Sequence, residues 1–569
     1  MVSLKMKMLL NILVFCACLL QVISAEQNVV QMSFNPEYNV VHEKNDPGTA
    51  APKPFTFASY YGNNMVLQRA PYHAVVWGYS PDIGERIIIR VSDTEQIYKA
   101  IVEMGPDGVN GVWKVKLNPE NRTIPFVITA ISSKATRSLA NVLFGDVWLC
   151  SGQSNMQFTV NQTYNATQIV DEASQYTSVR LFTVAETQSL YPAHDLIEVQ
   201  QPWSMANKES VGFAPWKYFS SVCWLFGKGL YDKNQYPIGL IATDWGGTPV
   251  EAWSSVEALS KCGLLAGKYP VEEEWFGVGA TMSNSVLWNA MVHPMINMTI
   301  YGAIWYQGEA NQVANVNKYN CTFPTMIDDW RLQFSQAGES NPLFPFGFVQ
   351  LAANRLDPSI STGFPDIRWH QTADYGMVPN KRMPNVFMSV AMDLPDFFSP
   401  DGSIHPRDKQ DVVSRLLLSG LAVAYNESVP EWQGPLPDKV SLSPTEITLD
   451  YSAQIDLRTV EGFEICCSVG GGNECNNLRS WWLSTPIVSN TTKSINLYPI
   501  CATGENVLGI RYSWRESPCQ FKNCAIYSTV AQLPGPPFVW YKPTSSSKQE
   551  KLRQVYSMLW DKPQLNSLP

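Results

Sequence analysis

The segment Gly145-Asp-Val-Trp-Leu-Cys-Ser-Gly-Gln-Ser-Asn-Met156 decides how this chain is read. Val147 to Cys150 form an apolar run, the pattern of a strand buried on both faces. Small and polar residues follow at once, and Gly152-Gln153-Ser154-Asn155 predicts a turn that opens a helix. This layout lifts the Ser154 hydroxyl to the carboxyl end of a sheet strand, where open α/β sheets hold their ligands. It also aims the free N–H groups of a helix start at any oxyanion formed there. A plain helix cap uses the same residue types. The segment alone therefore leaves two readings, a cap or a serine nucleophile, and the second needs partners elsewhere in the chain.

Strand patterns of the same kind recur downstream, at Pro237-Ile-Gly-Leu-Ile-Ala-Thr243, Ile300-Tyr-Gly-Ala-Ile-Trp-Tyr306 and residues 344–351 and 386–392. They alternate with helix-length segments, so residues 140–430 read as an α/β domain with a parallel sheet covered by helices. The clearest helix spans 406–425, with Val412, Val413, Leu416, Leu417, Leu421 and Val423 on one stripe and Pro406 suited to its first position. Residues 55–139 are β-like, with Val75-Val-Trp-Gly78, Arg86-Ile-Ile-Ile-Arg-Val91 and Trp113-Lys-Val-Lys-Leu117 between turn residues, as in a small sandwich. Residues 431–543 turn β-like again and carry Cys466, Cys467, Cys475, Cys501, Cys519 and Cys524. A polar arm over 26–54 and a surface tail over 544–569 complete the expected layout.

At 569 residues, 45% apolar and 16% charged, the chain suits a large globular protein of two to four domains. Its 19 Trp and 24 Tyr fit a β-rich core better than an exposed sugar-facing surface. Residues 1–25 read as a secretory signal: Lys5 and Lys7, an apolar run too short to span a bilayer, then Ser24-Ala25 before Glu26. Without them, 39 basic side chains face 50 acidic ones, and no basic run exists, which argues against nucleic acid and anionic membrane as partners. Ten of the 12 cysteines lie beyond the signal, an even number that predicts disulfides; adjacent Cys466 and Cys467 require separate partners. Paired zinc-ligand spacings are lacking, so no metal and no cofactor is expected. Glycosylation sequons stand at Asn121, Asn161, Asn165, Asn297, Asn320, Asn426 and Asn490. These features together place the chain in the secretory pathway, in a lysosomal lumen or outside the cell, with no membrane span after signal removal.

Three blocks follow strands and could serve Ser154. Trp245-Gly-Gly-Thr-Pro-Val-Glu-Ala-Trp253 offers Gly246 and Gly247, whose backbone can approach a ligand and present an N–H, though a tight turn needs the same glycines. Trp305-Tyr-Gln-Gly-Glu-Ala-Asn311 places the Gln307 amide at a strand end, where it could donate to an oxyanion. His405, one of only six histidines, ends a carboxylate-rich loop, Asp393-Leu-Pro-Asp-Phe-Phe-Ser-Pro-Asp-Gly-Ser-Ile-His405, just before the helix. A neutral imidazole there can take the serine proton.

With Gly62-Asn-Asn-Met-Val-Leu-Gln-Arg-Ala-Pro71 and Ser403-Ile-His-Pro-Arg-Asp-Lys409, these blocks resemble SGNH-type serine esterases, specifically the sialate O-acetylesterase family. The resemblance implies an SGNH-type three-layer hydrolase domain flanked by β-rich regions. It implies removal of O-acetyl groups from sialic acids through an acetyl-enzyme. Ser154 would be nucleophile, His405 base, and the N–H groups of Ser154 and Gly246 or Gly247 with the Gln307 amide the oxyanion hole. The superfamily's usual Asp three residues before the His is Gly402 here. The base is then oriented either by the Asp401 carboxylate or by a main-chain carbonyl in a dyad. Competing readings are an acetylated-polysaccharide (xylan-type) esterase, a non-catalytic sugar-binding relative, and a glycosidase using the carboxylates of 393–401. The last leaves Ser154 and Gln307 without a role.

Overall fold

The computed structural model describes residues 52–264, 283–468, 475 and 481–542. The expected signal, the surface tail and almost all of the polar arm lie outside the described residues.

The main path of the central sheet contains β1 (Thr136–Gly152), β2 (Val179–Val184), β3 (Val199–Met205), β4 (Ile238–Asp244), β5 (Gly302–Tyr306), β6 (Phe346–Gln350) and β7 (Val386–Val390), in the order β3-β2-β4-β1-β5-β6-β7. Neighbours run parallel except β2 and β3. Every residue of β4, β5, β6 and β7 is buried, which is why these strands read as unbroken apolar runs. Helices α2 (Ser221–Asn234) and α4 (Lys409–Val423) cover one face, where Phe226 and Phe387 meet Trp148. Helix α3 (Tyr319–Gly338) covers the other, with Phe323 against Phe346 and Phe348. The register Gly347↔Phe387 puts those two residues on the face opposite Phe346 and Phe348. At Gly347 a Cβ would meet the Phe387 ring at 2.3 Å, so the glycine makes room for it.

Strand β1 is 17 residues long and serves two regions. Its first half pairs antiparallel with Phe126–Ile131 in the leading β region, and its second half pairs with β4 and β5. The junction expected at 139/140 thus lies inside one strand. The large aromatics are core: Trp77, Trp113, Trp148, Trp224, Trp253, Trp305 and Trp330 are among the largest fully buried side chains. Beyond α4 come two four-stranded antiparallel sheets, one with Phe463–Cys467 and Val507–Tyr512 at its centre.

One local expectation is corrected, and two strands of the sheet lie outside the patterns read from sequence. Helix α4 starts at Lys409 rather than Pro406, because Asp408 is its N-cap and accepts from the Asp411 N–H at 3.0 Å. Strands β2 and β3 break the apolar pattern with buried Arg180 and with Pro202, the latter on an edge strand that tolerates it.

The ten cysteines beyond residue 25 pair as Cys150–Cys223, Cys262–Cys321, Cys466–Cys475, Cys467–Cys501 and Cys519–Cys524. Cys466 and Cys467 diverge because successive strand residues point to opposite faces. Among the sequons, Asn121, Asn161, Asn165, Asn426 and Asn490 are exposed, while Asn297 and Asn320 are half-buried. The Asn320 amide is further committed to Asp374 at 2.7 Å. No group of three or more His, Cys, Asp or Glu side chains among the described residues is placed to hold a metal ion. No helix among them is long and apolar enough to cross a membrane.

Candidate active site

Strand β1 ends at Gly152, with φ +142 and so close to β5 that a Cβ would lie 2.2 Å from the Tyr306 carbonyl oxygen. Only glycine fits this approach. The Gln153 N–H then donates to Tyr306 O at 3.0 Å, and Ser154 opens the short helix α1 (Ser154–Gln157). The nucleophile candidate therefore stands at the carboxyl end of the strand, nearly buried at 8% exposure.

Ser154 Oγ lies 2.8 Å from Nε2 of His405. The far nitrogen, Nδ1, lies 2.6 Å from the main-chain oxygen of Asp401. A carbonyl only accepts, so Nδ1 carries the proton and Nε2 is left bare, the tautomer able to receive the serine proton. The backbone makes this contact through a tight turn at Gly402, with φ +90 and the His405 N–H on Gly402 O at 2.9 Å. Phe158 stacks over the ring at 6.2 Å and Trp216 meets it edge-on at 5.1 Å. Burial pushes the imidazole below its ordinary pKa; the hydrogen bond to Asp401 O opposes this, and the nearby Lys409 charge adds to it.

The Asp401 carboxylate does not orient the base. The turn presents the carbonyl of Asp401 to the ring, and its Oδ1 instead accepts from Gln162 Nε2 at 2.8 Å. Asp393 is bound by Arg415 at 2.5 Å and Tyr527 at 2.8 Å, and Asp396 by Arg407 at 2.7 Å. The carboxylates of this loop are thus structural.

Gln307 is also corrected. It is fully buried, and its amide donates to Thr248 O at 3.1 Å and Asn311 Oδ1 at 2.8 Å while accepting from the Tyr319 hydroxyl at 2.9 Å. Both N–H bonds are spent on holding the turn after β4 to the turn after β5, leaving none for an oxyanion. Gly246 lies beside Ser154, but its N–H donates to Gln157 Oε1 at 2.9 Å. The N–H groups of Ser154 and of exposed Gly247 have no acceptor among the described residues. Gly247, at φ +75, has open space where a Cβ would stand.

Residues unassigned from sequence brace the pair. Asn155 donates to Ile404 O at 2.9 Å and to Glu309 Oε1 at 2.6 Å. It accepts from Lys409 Nζ at 2.7 Å, and Lys409 also donates to Pro406 O at 2.6 Å. The neighbour of Ser154 thus grips the residues on both sides of His405. Lys409 is fully buried, and its ammonium is pushed down to about 7 by that burial. On the other side Gln157 donates to Glu186 at 2.5 Å. Burial pushes Glu186 up to about 7, and Asp244 is raised well above the carboxylate range by burial and by the charge of Glu186.

The family described as carbohydrate esterase, sialic acid-specific acetylesterase, matches residues 144–405, and the sialate O-acetylesterase C-terminal domain matches 438–542. Sialate O-acetylesterase of Homo sapiens is 44% identical over 497 residues, covering 85% of this chain and 92% of that protein. The chain belongs to the sialate O-acetylesterase family. The Mus musculus member is 42% identical over 518 residues, covering 85% of this chain and 94% of its own. Among solved structures, a novel carbohydrate acetylesterase from Xanthomonas citri superposes with a TM-score of 0.69 at 25% identity, covering 86% of this chain and all of its own. The first family match runs from β1 to His405, so it brackets the Ser154–His405 pair, and the bracing Lys409 lies just beyond it.

Proposed function

We infer that the chain is a serine esterase that removes O-acetyl groups from sialic acids, with Ser154 as nucleophile and His405 as general base. The observation that carries the roles is the 2.8 Å contact from Ser154 Oγ to an imidazole nitrogen whose other nitrogen is held on a carbonyl. Ser154 Oγ attacks the acetyl carbonyl as its proton passes to Nε2 of His405. The oxyanion is held by the N–H groups of Ser154 and Gly247. The imidazolium then protonates the leaving sugar oxygen, and water, deprotonated by the same nitrogen, releases acetate from the acetyl-enzyme. A main-chain carbonyl fixes the tautomer that a carboxylate fixes in a full triad, so the machinery is a dyad. We propose that residues 140–430 carry this chemistry beside the β regions 55–139 and 431–543. Five disulfides suit an oxidising compartment, a lysosomal lumen or the cell exterior. The exposed sequons are the better glycan acceptors.

The test is acetate release from 9-O-acetylated sialic acid, with acetylated xylan alongside. Ser154→Ala is expected to lower turnover by about 10³-fold or more, since only binding and oxyanion contributions persist. A folded Ser154→Ala protein that kept most of its rate would overturn the assignment. Equal or faster release from xylan would move the substrate class.

A further inference from the structure

Residues 430–436 and 438, which leave the α/β region after α4, line a cavity of about 350 Å³ together with Met377 and with Tyr451, Ser452 and Ser528 of the C-terminal β region. None of its lining belongs to the catalytic blocks. We propose that this cavity is a second, non-catalytic site that holds a neutral sugar unit of the glycan bearing the acetylated sialic acid. The proposal rests on the esterase reading only for the identity of that glycan.

The volume falls in the range of small-ligand sites. The Trp432 indole is half-buried and has no ring partner or hydrogen bond among the described residues. A flat aromatic face with a free N–H is what the C–H face and hydroxyls of a pyranose require. Gln433 lines the same space, and its side-chain oxygen is buried without a donor. A buried acceptor of that kind costs free energy until a hydroxyl or water donates to it. Glu431 is anchored by the N–H groups of Val530 at 2.9 Å and Ala531 at 2.7 Å, and the Asp438 carboxylate has no partner among the described residues. One ammonium, Lys493, reaches the rim by donating to Ser452 O at 2.8 Å. The unmet Gln433 oxygen calls for an O–H group from the ligand, and two carboxylates against one ammonium disfavour the sialate carboxylate itself. A neutral hexose or N-acetylhexosamine meets both conditions.

Binding is read without turnover, by saturation-transfer NMR on full-length Ser154→Ala protein with methyl β-galactoside and methyl N-acetyl-β-glucosaminide. Transfer is expected to at least one glycoside, at roughly millimolar affinity, and it is expected to vanish when Trp432→Ala is added. Gln433→Met is the second variant should Trp432→Ala misfold, and it is expected to weaken transfer. In otherwise wild-type enzyme, Trp432→Ala should raise KM for an acetylated sialoglycan by roughly three- to tenfold, the size of one stacking contact, with kcat and hydrolysis of a simple acetyl ester unchanged. No transfer to either glycoside, undiminished transfer in both variants, or displacement of the sugar by tetramethylammonium would overturn the proposal. Loss of the esterase reading would leave the NMR result untouched.

Discussion

Asp401 meets His405 through its carbonyl, and this single contact separates a dyad from a triad. Had the carboxylate held Nδ1, removing its charge would destabilise the imidazolium and cost orders of magnitude in turnover. With the carbonyl in that place, Asp401→Asn leaves the contact in the backbone; it disturbs the bond to Gln162, which also accepts from the Trp216 main-chain N–H at 3.2 Å, and removes a charge that raises the His405 pKa from nearby. The expected outcome is a kcat within about tenfold of wild type, measured on a soluble acetyl ester; a loss of 10³-fold or more would return the carboxylate to the mechanism. Gln307 is the matching case. Truncation to Ala leaves Thr248 O without its donor and the Tyr319 hydroxyl with only the main-chain oxygen of residue 307 at 3.4 Å, while Asn311 Oδ1 keeps the Val250 N–H at 2.9 Å, so Gln307→Ala is expected to destabilise the fold by about 1–3 kcal/mol. In chemical denaturation this should appear as an earlier midpoint with an unchanged slope. Unchanged stability with a kcat collapse would show that the amide serves the oxyanion after all.

At the scale of elements, the site is two turns and one loop held at fixed spacing by Asn155 and Lys409. The Lys409 charge lies near the base and, after burial, is a further influence that lowers its pKa. The sign follows: as the proposed base, His405 works only when neutral, so a depressed pKa keeps it active at more acid pH. Lys409→Met removes the charge and should move the acid limb of kcat/KM to higher pH, toward the ordinary value of about 6.5. A limb that stays in place while activity falls at every pH would reduce Lys409 to a brace. The strands carrying these turns were legible because a parallel sheet buried on both faces writes itself as apolar runs, and Ser154 and His405 were legible because they end such runs. Three things were hidden. Edge strand β3, with Pro202, has no such run. Which of the two orienters offered for His405 holds Nδ1 was not legible, because the partner is a backbone atom, and every residue has one. The commitments of Gln307 and Gly246 depend on Thr248, Asn311 and Gln157, whose amides and carbonyls approach only once the strands are placed side by side. Lys409 and Glu309 sat within the recognised blocks, but a lysine or glutamate beside a motif reads as surface until its burial is known.

At the scale of the whole molecule, one strand stitches the leading β region to the central sheet, and Cys150–Cys223 ties that strand to α2 four residues before Ser154. Chemistry and fold therefore share their supports, and groups placed for one bear on the other. Glu186 is the clearest instance. It receives the Gln157 amide whose oxygen holds Gly246, and it keeps its proton up to about pH 7 because it is buried. Unfolded, it would ionise near its ordinary value of 4.5. Between those two values the folded chain binds the extra proton, so Glu186 contributes stability at low pH that is lost as pH rises through about 7. Lys409 and the buried histidines titrate in the opposite sense, so the wild-type curve alone cannot isolate this contribution. The comparison that does is Glu186→Gln against wild type, since the amide stays neutral and can still accept from Gln157. The melting-temperature gain of the variant is expected to be smallest near about pH 4, to grow up to about pH 7, and to level off above it. Its plateau should correspond to about 3 kcal/mol. A gain of constant size at every pH would mean that Glu186 already carries its ordinary charge in the folded protein, and that the oxyanion turn is held without a stored proton.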